Sequence, residues 1–166
     1  PTNVCVNRCS FCAFSRSEGE PGAYTLTADD VLAKAREAAA AGATEIHMVG
    51  GLHPTLPFAW YLDAIRAVRR EMPALHVKGF TAVEIDHFAR TAGLSDAEVL
   101  RQLADAGLGS LPGGGAEILA EETRTRICPE KISGARWLEI MEIAQALHVR
   151  HAVGVGLHVA VEHRGV

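Results

Sequence analysis

Three of the chain's four cysteines, Cys5, Cys9 and Cys12, fall within the eight residues CVNRCSFC, with Phe11 directly before the third and Phe14 just after it. Thiolates are soft ligands, and three on one short loop can converge on one metal centre. A cubane of four irons and four sulfides takes one protein ligand per iron, so three cysteines leave one iron open to a small molecule. Zinc is the alternative, with Cys128 or a histidine as fourth ligand. Structural zinc sites usually join one close cysteine pair to a second, distant pair, and no second pair exists in this chain. A loop that keeps its thiols without metal is the third reading. Disulfide pairing fits less well, because Cys5 to Cys12 is an awkward length for a staple and Cys128 has no evident mate.

The totals narrow the class. The chain has 166 residues, 48% hydrophobic and 22% charged, with a formal charge of −4. That is one ordinary globular domain. The negative balance and the lack of any Lys/Arg run argue against a nucleic-acid surface. No apolar stretch is long enough to span a bilayer and no basic-then-apolar signal opens the chain, so the expected compartment is the cytoplasm. The chain starts at Pro1, with the cysteines following at once, and this suggests a fragment.

The elements that must position the cysteines read as alternating strands and helices. TADDVLAKAREAAAAGA predicts a helix with a Thr27–Asp30 capping box and a stop at Gly42. EIHMVGG is a short buried strand entering a glycine loop. FAWYLDAIRAVRREM places Phe58, Tyr61, Leu62, Ile65, Val68 and Met72 at helical spacing, and Pro73 closes it. LHVKGFT is the next strand, followed by a short helix to Gly93. SDAEVLRQLADAG has Ser95 and Glu98 in capping-box positions and Gly107 as its stop. LGSLPGGG repeats the strand-into-glycine pattern, a longer helix starts near Ser133, and HAVGVGLHVAV offers a last strand.

Strand and helix thus alternate at roughly 30-residue spacing, the pattern of parallel βαβ units. There is no repeat and no linker. A closed eight-fold barrel needs roughly 200–250 residues. The expected fold is therefore α/β: a partial (β/α) TIM-type barrel of parallel strands, about half of the full fold, in a single domain over 1–166. A doubly wound sheet is the competitor, without a dinucleotide fingerprint to support it. Counting a strand ahead of the cysteines, CVNRCSFC, GGLHP and PGGGAEI all follow strands. They should face one crevice at the carboxyl ends of the sheet.

The Cys-x3-Cys-x2-Cys spacing, with an aromatic residue before the third cysteine, resembles the radical S-adenosylmethionine (SAM) superfamily. PTNVCVNRCSFCAF, HMVGGLHP, FTAVEIDHFAR, SLPGGGAEI and ICPEKIS together resemble the aminofutalosine synthases of the futalosine route to menaquinone, over about residues 1 to 146. Sister families, the dehypoxanthine futalosine cyclases and deazaflavin (FO) synthase components, share the cysteine, GG and PGGGAE loops. They carry SPPEI- or SPLEV-like text where this chain has TAVEI, so the finer assignment leans on Thr81 to Ile85.

The resemblance implies a 4Fe–4S cluster held by Cys5, Cys9 and Cys12, with SAM chelating the open iron. Reductive cleavage of SAM would give a 5′-deoxyadenosyl radical. That radical would add to 3-[(1-carboxyvinyl)oxy]benzoate and lead to aminofutalosine with loss of bicarbonate. An electron donor such as flavodoxin or ferredoxin is implied, with a small-molecule substrate and neither nucleic acid nor membrane as partner. Phe11 would shield the cluster edge or the adenine, with ordinary packing as the alternative and the preferred reading for Phe14. Backbone carbonyls of Gly50 and Gly51 would meet the SAM amino group, unless the pair simply makes a tight turn before Pro54. Glu117 would accept from the ribose hydroxyls or the SAM ammonium, or else cap the following helix.

Catalytic candidates are His53, for a substrate carboxylate or a proton, and Thr81 and Glu84, which the loop position places at the pocket wall. His53 as a surface loop residue is the alternative. Arg124 and Arg126 could fork onto substrate carboxylates, although helical arginines are more often solvated. His47 reads as a core histidine, Lys78 as similar or as facing the barrel interior, and Cys128 as a buried structural thiol. Residues 147–166 depart from the resemblance, and relatives of this kind run about twice the length, so the carboxyl-terminal half of the barrel is expected to be missing. A non-catalytic metal-binding fragment is the reading from another class.

Overall fold

The computed structural model describes residues 1–151. After the cysteine loop, six helices and four strands follow in the order α1 (Ala28–Ala40), β1 (Glu45–Met48), α2 (Phe58–Glu71), β2 (His76–Gly79), α3 (Ala82–Ala92), α4 (Asp96–Ala106), β3 (Ser110–Leu111), α5 (Glu121–Ile127), α6 (Gly134–Ala146) and β4 (Arg150–His151). The strands form one parallel sheet in the order β1-β2-β3-β4. Every new strand is added on the same side, with no reversal of order. A doubly wound sheet has such a reversal and a barrel does not, so the architecture is a partial TIM-type barrel.

Local chemistry explains the helix ends. Thr27 and Thr81 each accept from the amide three residues on, and Asp30 and Glu84 reach back to the cap amides, so α1 and α3 open with complete capping boxes. Ser95 caps α4 through the Glu98 amide without the reciprocal bond. Gly93 and Gly107 end α3 and α4 in the left-handed region, which only glycine enters without strain.

The core lies between sheet and helices. On α2, Phe58, Tyr61, Leu62, Ile65 and Val68 are buried, while Met72 at the end of the row is only partly covered. Tyr61, Phe80 and Phe88 pack with ring centroids 4.5 to 5.6 Å apart, and Phe58 lies 5.3 Å from Phe88. Phe80 is fully buried at a φ of 61°, a strained conformation for an aromatic residue. This turn directly follows β2 and precedes Thr81, so one kink sends the Phe80 ring into the core and starts α3.

Three expectations are corrected. The strand counted ahead of the cysteine loop is not formed: Thr2 and Val4 make only isolated bridges to Thr25 and Arg16. His47 is exposed rather than in the core, its Nε2 2.6 Å from Glu45 Oε1. The helices cover the opposite face of β1, where Met48 is buried, and period-two alternation puts His47 on the uncovered one. Lys78 shares that polar face and pairs with the same carboxylate at 2.8 Å. The last expected strand begins earlier than its text suggested, at Arg150, and its remainder lies outside the described residues. No helix among the described residues is long and apolar enough to cross a membrane.

Candidate functional site

A cavity of about 440 Å³ opens at the carboxyl ends of the strands. Cys5, Cys9 and Cys12 line it, with Gly50 and Gly51 from the loop after β1. Thr81, Val83 and Glu84 at the start of α3 form a further wall, completed by Gly115 and Glu117 after β3. The three loops expected to share a crevice do share one: the two glycine loops follow β1 and β3, while the cysteine loop follows no strand and is held there by backbone hydrogen bonds to the loop after β1 and to Ile127.

The cysteine loop is anchored at both sides. Cys5 N–H donates to the Arg16 carbonyl at 3.0 Å, and Cys12 N–H donates to the Cys9 carbonyl at 3.0 Å, closing a turn. The Ser10 amide and hydroxyl both donate to the Ile127 carbonyl, at 2.9 and 3.1 Å, and the Arg8 amide donates to Glu130. All four cysteines are free thiols, with Cys128 buried beneath the loop as expected. Burial pushes the Cys9 thiol up to about 11, against the pull of Lys131. At Cys12 burial acts in the same sense. There the amides of Phe14 and Ser15, the Ser15 hydroxyl and the Lys131 ammonium outweigh it and hold the thiol below its ordinary value.

Among the described residues no three His, Cys, Asp or Glu side chains are gathered as a single metal ion would need. Three thiols of one loop line the cavity, and three soft ligands are the number a four-iron cluster takes when one iron is left open. The donor set therefore fits a cluster with one open position.

Gly50 and Gly51 explain themselves by packing. Neither has positive φ, so neither is demanded by a tight turn. A Cβ on Gly50 would sit 2.7 Å from the Thr2 carbonyl oxygen, and one on Gly51 would overlap the Val4 carbonyl. Gly51 N–H donates to the Thr2 carbonyl at 2.8 Å and Val6 N–H to the Leu52 carbonyl at 3.0 Å. The pair lets the loop after β1 lie directly against the backbone that carries Cys5.

Thr81 and Glu84 are wall residues with structural duties. Glu84 Oε2 accepts from the Thr81 amide at 2.8 Å and its hydroxyl at 3.0 Å, and Oε1 accepts from the Gly50 amide at 3.0 Å. Burial pushes this carboxyl up to about 7, against these hydrogen bonds.

Glu117 adopts a φ of 45° and does not cap α5, whose first-turn acids are Glu121 and Glu122. Its Oε1 pairs with Lys131 Nζ at 2.8 Å, while Oε2 is buried without a partner among the described residues. Lys131 Nζ also lies 5.2 Å from the centre of the Phe11 ring, a cation–π contact. Phe11 is half-exposed at the cavity, and Phe14, expected to pack beneath the loop, is 80% exposed at its mouth.

Other candidates are placed elsewhere. His53 is buried and does not line the cavity: its Nδ1 accepts from the Thr55 and Leu56 amides at 3.2 and 3.1 Å, and its carbonyl meets His87 Nε2 at 2.9 Å. Its lone pair is spent on the turn before α2. Arg124 neither faces a ligand nor is solvated. It is 1% exposed and donates to the carbonyls of Gly115, Ala116, Ile118 and Ile132, tying down the loop that presents Glu117. Arg126 is exposed. Lys131 and Asn7, which also line the cavity, were not singled out from the sequence. The only signal for Lys131 was its place in ICPEKIS.

The chain is 49% identical over 153 residues to a 5-amino-6-(D-ribitylamino)uracil–L-tyrosine 4-hydroxyphenyl transferase of a Cyanothece species, covering 89% of this chain and 40% of that protein. It is 47% identical over 148 residues to the aminodeoxyfutalosine synthase of Thermus thermophilus, again covering 89% and 40%. The chain thus spans about 40% of the length of the curated relatives it matches. In fold it is similar to HydG, a maturase of the FeFe-hydrogenase, with a TM-score of 0.66 at 19% identity over 87% of this chain and 31% of that one. A profile of the Radical SAM superfamily matches residues 1–163, and the chain belongs to that superfamily.

Proposed function

We propose that the chain is the cluster- and SAM-binding part of a radical SAM transferase of the aminofutalosine synthase type, acting on 3-[(1-carboxyvinyl)oxy]benzoate. The observation that carries the reading is the single cavity that gathers the three cysteines, the GG loop and Glu117. Cys5, Cys9 and Cys12 hold a 4Fe–4S cluster. When bound, the cluster supplies one electron for cleavage of the C5′–S bond of SAM. The chain's own residues bind, orient and exclude water.

With the Gly50 amide held by Glu84 and the Gly51 amide by the Thr2 carbonyl, the backbone carbonyls of this pair meet the SAM amino group. The free Glu117 Oε2 accepts a hydrogen bond from the bound nucleoside or its ammonium group. Phe11 and Phe14 at the mouth keep water from the cavity. Glu84 and Thr81 act as positioning residues, holding the GG loop and α3 in fixed relation. The electron comes from a small carrier of the flavodoxin or ferredoxin kind.

A second reading follows from the 49% identity to the hydroxyphenyl transferase: a tyrosine-directed radical SAM transferase of the FO synthase kind. Anaerobic reconstitution with iron and sulfide, followed by low-temperature EPR with and without SAM, tests the shared part. A reduced-cluster signal that changes with SAM supports it. Zinc binding or no cluster uptake leaves a non-catalytic metal-binding fragment. Adding 3-[(1-carboxyvinyl)oxy]benzoate, or 5-amino-6-(D-ribitylamino)uracil with tyrosine, to the whole enzyme then separates the two acceptors by which product forms.

A further inference from the structure

Within the described residues, Lys131 is the only lysine or arginine lining the cavity, and its side chain is 12% exposed. It arrives from the segment after α5, more than a hundred residues from the cysteine loop. The Ser10–Ile127 and Arg8–Glu130 hydrogen bonds fix that segment against the loop. Its ammonium rests on the face of Phe11, the residue directly before Cys12, and pairs at 2.8 Å with Glu117. A cation and an anion are thus held side by side at the cysteine loop, shielded from solvent, and neither does the work of a helix cap or a surface pair.

We propose that Lys131 and Glu117 act as an opposed charge pair that sets the reduction potential of the cluster held by Cys5, Cys9 and Cys12, Lys131 raising it and Glu117 lowering it. The inference rests on the cluster assignment of the proposed function. Reduction adds one negative charge to a cluster with three thiolate ligands. A nearby ammonium stabilises that added charge and a nearby carboxylate opposes it. The effect is larger in a partly buried site, where screening is weak. The arrangement also makes the potential responsive to whatever engages the free Glu117 Oε2.

The test is a redox titration of the reconstituted chain followed by EPR, comparing the unaltered chain with Lys131→Gln, Glu117→Gln, the double variant and Lys131→Arg. The expected result is a more negative midpoint for Lys131→Gln, a more positive one for Glu117→Gln, and an intermediate value for the double variant. Lys131→Arg, which keeps the charge, should lie near the unaltered chain. A purely structural pair would move both single variants in the same direction or not at all, and either result overturns the proposal. Loss of cluster uptake in both single variants would assign the pair to holding the loop and equally overturn it. Failure of the unaltered chain to take up a cluster would instead refute the proposed function beneath it.

Discussion

The carboxylate of Glu84 accepts a hydrogen bond from the backbone amide of Gly50 at 3.0 Å, so the residue that completes the capping box of α3 also pins the glycine loop after β1. One side chain ties together two of the segments that wall the cavity. Burial holds this carboxyl at about 7, above its ordinary 4.5.

A stability prediction follows from that shift. The folded chain binds the Glu84 proton more tightly than the unfolded chain, so the stability this adds is complete below the ordinary value and is lost as pH rises through about 7. The full swing is about 3 kcal/mol. Urea midpoints between about pH 5 and about pH 8 should fall for the unaltered chain relative to Glu84→Gln, whose residue does not titrate. Parallel curves for the two would contradict the assignment.

Gly51→Ala should be poorly tolerated. The new Cβ would meet the Val4 carbonyl carbon at 2.7 Å and Cys5 Cβ at 3.0 Å, and backbone cannot rotate aside as a side-chain tip can. The expected cost is about 1–3 kcal/mol, read by thermal unfolding. Iron content after reconstitution should drop as well, because the displaced backbone carries Cys5. An alanine variant with normal iron would show that the loop can yield.

Arg124→Met should destabilise the chain by about 3 kcal/mol or more, since it leaves four carbonyls, two buried and two partly buried, without their donor. Lys at the same place should not restore stability, because an ammonium cannot reach four carbonyls as a planar guanidinium does. Denaturant titration of the two variants checks both statements.

Cys9→Ala and Cys128→Ala separate the two kinds of thiol. The first removes a cavity-facing donor and should abolish full iron loading. The second trims a buried thiol behind the loop and should leave iron stoichiometry unchanged. Iron and sulfide analysis of both proteins decides it, and equal loss from the two would make Cys128 a ligand.

The histidines show where reading the chain alone goes astray. His47 was expected in the core because it stands inside a strand, and His53 at the crevice because it follows GG. The helices cover one face of β1 and leave His47 on the other, while the turn after Gly51 folds His53 inward onto the Thr55 and Leu56 amides. Alternation along a strand is visible in text, but which face receives helices is not. Arg124 is a similar case: its neighbours look like any exposed helix, and its burial follows from the path of residues 115–118 and 132 around it.

What the sequence by itself determined is the local and the periodic. Capping boxes at Thr27 and Thr81, stops at Gly93 and Gly107, the apolar row on α2 and the spacing of Cys5, Cys9 and Cys12 all depend on residues within a few positions of each other. The alternation of strand and helix, and with it the convergence of the loops after the strands, follows from the same short-range order. Only the tertiary structure decided the long-range partners: Gly51 against Val4, Glu84 under Gly50, and Lys131 between Phe11 and Glu117. These contacts join segments tens of residues apart. They exist because the sheet brings its loops to one rim, where buried charges must find partners.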